Sequence, residues 1–360
     1  MTSLNRFARR CLLLLVLSAP AAFADETLLY PAIPGSGPAS ALVIHGALDL
    51  PQIRPLLEAF HRDHPRIELR YRNLTTLALH ERFLKAPSEA DVLLSSAMPW
   101  QYRLANDGHA RSLETLEAQR WPAWARWRRE LFAITFEPIV MVVNETVIER
   151  FGEIRSHADL LALLERHGEA LAGRVVTYDP ATSGAGYTYA IEESRLSPRY
   201  WELVAALGRT EADLAGTTGE MLEGLIEERY LVGYNLLGSY ARNRLVDQPH
   251  LRIVVPEDYA LVTQRLALMP RLAPHPEAAE RFLGFLISET GQAVLARDTT
   301  LGAIHPSLKG PGTAASLRRQ RGEALRPITL GPGLLATLDD LKRQALLTRW
   351  RREFTRQEGR

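Results

Sequence analysis

From residue 41 onward, short apolar runs alternate with amphipathic stretches, and this rhythm restricts the fold more than any other feature of the sequence. Residues 41–45 (ALVIH) have the length and continuity of a buried strand. Ile53, Leu56, Leu57 and Phe60 follow at helical spacing, with Pro51 in the first turn and Pro65 as a stop. Ile67, Leu69 and Tyr71 then alternate with Glu68, Arg70 and Arg72, the pattern of a half-buried strand. A helix over 77–85, a strand over 90–95 and a helix over 99–106, closed by Gly108, complete the first series. The second half repeats the rhythm. Strands are expected over 174–178, 230–236, 253–255 and 261–269, and helices over 197–208, 276–287, 291–296 and 334–354. Thr217-Thr218-Gly219-Glu220 fits a capping box, with Thr217 as N-cap and Glu220 reaching back from the third helical position. Such alternation predicts an α/β protein with a mainly parallel sheet.

Two apolar segments interrupt the pattern, 135–144 (TFEPIVMVVN) and 258–269 (DYALVTQRLALM). They read as two crossings of the chain between lobes. The division that follows is 41–134 plus 270–360 for lobe one and 145–257 for lobe two. Residues 25–40 hold three prolines and two glycines and read as an extended lead-in.

Residues 1–24 have the order of an export signal. Arg6, Arg9 and Arg10 precede the apolar run 11–17 (CLLLLVL), and Ala22-Phe23-Ala24 supplies a small-x-small cleavage site before Asp25. The run is too short for a span of about 20 residues. Cys11 stands at its start, whereas a lipid anchor needs a cysteine at its end. Cys11 is also the only cysteine, so the processed chain has no thiol to mispair in an oxidising compartment. Lys and Arg total 43 against 42 Asp and Glu, a balance that argues against a nucleic-acid partner. With 46% hydrophobic and 24% charged residues the chain has enough core to fold.

Four segments, in this order, resemble the extracytoplasmic solute-binding proteins of ABC importers: ALVIHGALDLPQIRPLLEAF, ADVLLSSAM, RVVTYDPATSGAGYTY and PEAAERFLGFLISETGQAVLA. The third, with its D-P-x-x-S-G-x-G-Y turn, is the most specific. The resemblance is to the branch of ferric-ion-binding proteins and phosphoglycerate-transport regulatory proteins, and it runs from about residue 41 to 306. It implies the type II periplasmic binding fold: two α/β lobes joined by two crossover strands, with a ligand cleft between them.

In open α/β sheets, ligands lie beyond the carboxyl ends of strands, where helix N-termini present free N–H groups. The strand-to-helix turns therefore nominate Gly46 and Ala47, Ser95 and Ser96, Thr182, Ser183 and Gly184, and Thr218 and Gly219. All are small or hydroxylic and would donate to an oxyanion. Thr217 is expected to cap its helix, which leaves Thr218 for the ligand. Tyr234, Asn235 and Tyr240 fall where ferric members of the family place metal-binding tyrosines. Those members use two adjacent tyrosines, and this sequence has Gly238-Ser239-Tyr240 there instead. Without a phenolate pair the site is short of anionic oxygen for Fe(III), so no metal and no cofactor are expected. His61 and His64 at i, i+3 have no third ligand in view and read as a solvated face. Trp121, Trp124 and Trp127 at i, i+3, i+6 read as a helix packed on lobe one. Ser183 has no G-x-S-x-G elbow around it, and no acid–base pair is evident, so an enzyme is not expected.

These readings describe a periplasmic binding protein, expected as a monomer. It captures a small anionic solute, phosphorylated or carboxylated, and delivers it to an ABC permease. The alternatives are a binding protein that signals to a membrane sensor kinase, and an Fe(III)-binding protein. Export is directly testable. N-terminal sequencing of the secreted chain should begin at Asp25, and a membrane-held chain retaining Arg9 would contradict the leader assignment.

Overall fold

The computed structural model describes residues 26–33 and 40–356. The leader, its cleavage site and residues 34–39 lie outside them. Two mixed sheets organise the chain. In the first, Ser40–Gly46 lies between Ile67–Asn73 and Val92–Ser95, parallel to both. Leu266–Pro270 continues this sheet antiparallel beside Val92–Ser95, and Leu131–Ala133 follows. In the second, Glu137–Asn144 is flanked antiparallel by Val232–Leu237 and Ala260–Thr263. Val175–Tyr178 and Asp213–Ala215 extend it in parallel on one side, and Leu325–Pro327 on the other. All eight residues of Glu137–Asn144 are buried, which is why the sequence there is a continuous apolar run without alternation.

Two short connections carry the chain between the sheets. It leaves the first after Leu131–Ala133 and enters the second at Glu137. It returns between Ala260–Thr263 and Leu266–Pro270, so that only Gln264 and Arg265 separate strands of different sheets. The connections are thus far shorter than 135–144 and 258–269, because most of each apolar segment is strand.

Four further expectations are corrected. Within the lead-in, Thr27–Tyr30 is an edge strand, antiparallel to Ile67–Asn73, with Leu28 and Tyr30 packed against the core. The tryptophans do not share a helix: Leu116–Arg120 ends before Pro122, and Arg126–Trp127 is extended. The helix over 334–354 is two, Gly333–Thr337 and Asp340–Phe354, because the Asp339 side chain accepts from Lys342 N–H and starts a new N-terminus. Nor does 270–360 belong to lobe one throughout. Leu325–Pro327 joins the second sheet, Gly333–Thr337 packs on Met98–Asn106 of lobe one, and Asp340–Phe354 packs on Tyr200–Arg209 of lobe two. Gly208 makes the last contact possible, since a Cβ there would strike the carbonyl of Phe354. Trp350 donates its indole N–H to Tyr200 Oη at 3.2 Å, and Tyr187 donates its hydroxyl to the carbonyl of Thr337. Trp100 of lobe one meets Tyr187 of lobe two edge-on, with ring centroids 5.5 Å apart.

Lobe two contains a buried polar cluster around His157, at the start of the helix His157–His167. Its Nδ1 lies 2.9 Å from Asp258 Oδ1 and its Nε2 3.4 Å from Glu193 Oε1, and its ring stacks on Tyr259. Burial alone would push the imidazole pKa down. Hydrogen bonds and charge from Asp258 and Glu193 outweigh that and raise it to about 9. A folded pKa above the unfolded value of about 6.5 stabilises the protein fully below pH 6.5, and the contribution is lost as pH rises through about 9. At 1.36 kcal/mol per pKa unit this is on the order of 3 kcal/mol. Denaturant titrations at pH 6 and pH 9.5 should differ by roughly that amount, and His157→Gln should abolish most of the difference.

Candidate functional site: the cleft between the lobes

The sheet edges place several strand-to-helix turns face to face across a cavity of about 140 Å³. On the lobe-one side, strand Ser40–Gly46 ends in Ala47-Leu48-Asp49, and helix Leu50–Asp63 begins. Ala47 N–H donates to the carbonyl of Leu94 at 2.8 Å, which holds this turn beside the next strand. Gly46 is required because the ring of Tyr71 occupies the space of a Cβ. Helix Thr76–Lys85, capped by Thr75, also opens toward the cavity, and so does Met98–Asn106 behind Ser96.

On the lobe-two side, the turn after Val175–Tyr178 is built by Asp179. Its carboxylate accepts from Ala181 N–H at 2.8 Å and from the Thr182 hydroxyl at 3.0 Å. Ser183 then caps helix Gly184–Leu196 by accepting from Gly186 N–H at 3.2 Å. Gly186 packs directly on Tyr178, where an added Cβ would lie 2.6 Å from the Cβ of Tyr178. Thr217 caps helix Thr218–Ile226, and Glu220 returns the bond, accepting from Thr217 N–H at 3.3 Å and Gly216 N–H at 2.8 Å.

The lobes touch through small groups. Gly184 N–H donates to Thr76 Oγ1 at 3.2 Å, and Asp49 N–H donates to Tyr240 Oη at 2.9 Å. The floor is Arg265, at the second crossing, with 1% of its side chain exposed against 0% for Glu137. Its Nε donates to Glu137 Oε1 at 2.9 Å and its Nη1 to the carbonyl of Ala47 at 2.6 Å. Its backbone N–H donates to Thr135 Oγ1 at 2.9 Å, and its carbonyl accepts from Ile134 N–H, so the two crossings lie side by side. Ser239 donates to the other Glu137 oxygen. Burial opposes the charge of Arg265, and Glu137 more than restores it. Burial also pushes the phenols of Tyr178 and Tyr240 upward, away from phenolate. It raises the carboxyl of Asp49 as well, against the pull of Arg265 and of hydrogen bonds from Tyr240 and Asn73.

Of the residues nominated from sequence, Ala47, Ser96, Thr182, Ser183, Thr218, Gly219 and Tyr240 line this cavity. Gly46, Ser95 and Gly184 stand directly behind it: Ser95 Oγ accepts from Ala97 N–H at 3.2 Å and so serves its own turn. The Thr218 hydroxyl is turned into lobe two, bonded to Tyr178 Oη and accepting from Leu237 N–H, so the residue faces the cavity with its main chain. Tyr234 and Asn235 lie elsewhere. Both donate to Glu193 Oε2 in the His157 cluster. A register shift between Gly233 and Leu236, with Asn235 at φ 67°, re-aims them. Asp49, Thr75, Thr76, Tyr178 and Arg265 line the cavity without having been nominated. Arg265 had a sequence signal, as the single charge between the apolar runs ALVT and LALMP.

Two α/β lobes closing on a ligand-sized cleft at strand ends define a two-lobed binding protein. The chain belongs to the bacterial extracellular solute-binding protein family, whose model matches residues 51–298. A substrate-binding protein of an ABC transporter from Agrobacterium tumefaciens is 34% identical, covers 92% of this chain and 99% of its own, and superposes with a TM-score of 0.88. Fructose-6-phosphate-bound AfuA from Actinobacillus pleuropneumoniae (TM-score 0.70, 15% identity, 88% of this chain and 98% of that one) has the same fold. Iron-bound HitA from Pseudomonas aeruginosa (TM-score 0.67, 18% identity, 87% and 99%) shares it too. No curated protein sequence matches. The chain is a solute-binding protein of an ABC transporter, in a family that is periplasmic in bacteria and that binds solutes without transforming them. No helix among the described residues is long and apolar enough to cross a membrane.

The ion pair at the crossings gives the site its most direct test. Removing one partner leaves a buried charge uncompensated, at a cost of about 3–5 kcal/mol. Glu137→Gln and Arg265→Met should each lower the free protein's stability by that order in denaturant titrations. Thr217→Ala should cost only about 1 kcal/mol as a lost cap.

Proposed function

We propose that the cleft captures a small solute with an anionic group, phosphorylated or carboxylated. The exported chain, cleaved after Ala24 and acting as a periplasmic monomer, then hands it to an inner-membrane permease. The convergence of four helix N-termini carries this reading: Thr76–Lys85 and Met98–Asn106 from lobe one, Gly184–Leu196 and Thr218–Ile226 from lobe two. Each brings about half a positive charge, although caps and neighbours take part of the first-turn N–H groups, among them those of Ala78, Met98, Gly184, Gly186 and Glu220. Ser96, Ser183 and the main chain of Thr218-Gly219 supply donors from both walls, and Arg265, which gives Nε and Nη2 to Glu137 and Nη1 to Ala47, keeps two of its five N–H groups. The cavity has room for a solute on the order of ten non-hydrogen atoms, more than a bare metal ion needs. Tyr178 and Tyr240, the phenols that line it, are engaged with Thr218 and Asp49, which disfavours Fe(III) as cargo. Capture without chemistry fits a cleft in which Glu220 and Arg265 are bonded to the protein itself. A sensor kinase as recipient would read the same closed form, and a co-purification with permease or kinase membranes separates the two.

A thermal-shift screen of the processed chain should find stabilisation by phosphorylated three-carbon acids or dicarboxylates, about 2.7 kcal/mol at a hundredfold excess over Kd. Ferric citrate should give no charge-transfer band in the visible range. A band that disappears in Tyr240→Phe would restore the ferric reading.

A further inference from the structure

The charges around the cleft do not balance for a plain anion. Asp49, Glu220 and Arg265 line it, and Glu137 lies directly behind Arg265. That sets three carboxylates against one guanidinium. Glu220 is held by its cap, accepting from Gly216 and Thr217 N–H. Glu137 is held by Arg265, Thr135 and Ser239. Asp49 differs from both. It occupies the N-cap position of helix Leu50–Asp63 but its side chain makes no capping bond. One carboxylate oxygen lies 3.8 Å from the point where a Cβ on Gly219 would stand, so the group reaches across the cavity toward lobe two. Tyr240, Asn73 and Arg265 favour its charged form, and Arg265 is itself bonded to Glu137 and Ala47. A carboxylate enclosed by closing lobes needs a countercharge, and a second hydrogen-bonding hydroxyl would bring none.

Resting on the anion reading above, we propose that Asp49 selects solutes that carry an ammonium group beside their anion. The cleft then favours compact zwitterions of the aminoalkyl phosphate or amino-acid phosphate type over plain anions of equal size. The anionic end takes the helix N-termini and Arg265, and the ammonium takes Asp49, so closure buries about one unit less net negative ligand charge than with a plain anion. The two ends also fix the solute's direction in the cavity, since neither can exchange places without facing like charge.

Matched pairs test this by titration calorimetry on the processed chain: O-phosphoserine against 3-phosphoglycerate, and O-phosphoethanolamine against ethyl phosphate. The amine member of each pair should bind about tenfold or more tightly, as a charge-assisted bond requires. Asp49→Asn should weaken the amine member and leave the plain anion unchanged or tighter, so that the gap closes. A wild-type protein that binds the plain members equally well or better overturns the inference and leaves the anion reading standing. Asp49→Asn weakening both members of a pair alike also overturns it, since that marks Asp49 as a positioning residue for the turn. If no phosphorylated probe and no dicarboxylate binds, the anion reading fails and this inference falls with it. The wild-type comparison decides the matter even if the variant is unstable.

Discussion

The Arg265–Glu137 pair is the interaction on which the arrangement of the two lobes depends. It joins the two places where the chain passes between sheets, and it does so where neither side chain reaches water. A pair buried this completely gains little stability over an apolar replacement, because desolvating both charges offsets most of their attraction. What it supplies is geometry. The guanidinium is planar, its bonds have fixed directions, and one of them reaches the Ala47 carbonyl in the first turn of lobe one. The carboxylate takes Ser239, which begins the helix beside the cleft in lobe two. One ion pair therefore sets the position of a turn on each wall relative to the hinge.

Around that fixed floor the walls are made almost entirely from the ends of helices. Such a surface binds through main-chain N–H groups and short hydroxyls whose positions follow from the fold, so little side-chain freedom is lost when a solute is enclosed. The lobes meet through equally small groups, Gly184 on Thr76 and Asp49 on Tyr240. Beside them, the larger Trp100 of lobe one meets Tyr187 of lobe two edge-on.

The architecture was legible because it is written in local patterns. Alternating apolar runs marked the strands, and Thr217 with Glu220 marked a helix start to the residue. The S-G-x-G-Y turn placed Ser183 and Gly184 at the end of a strand. What the sequence concealed came from contacts distant along the chain. Tyr234 and Asn235 follow a strand into the right region, but a bulge turns them toward Glu193, about forty positions earlier. Thr218 sits at the cleft, yet Tyr178 draws its hydroxyl inward. Asp49 carries no local signal, because nothing near it in sequence shows what stands across the cavity. Arg265 was conspicuous only as a charge out of place.

The C-terminal segment has a mechanical consequence. Two short strands make a hinge that swings freely, whereas here the chain bridges the lobes a third time on its way out. Leu325–Pro327 is sewn into the second sheet, Gly333–Thr337 rests on the first lobe, and Asp340–Phe354 returns to the second. The segment behaves as a check-strap on a door. Any separation of the lobes has to be taken up by this segment or by the contact of Gly333–Thr337 with Met98–Asn106.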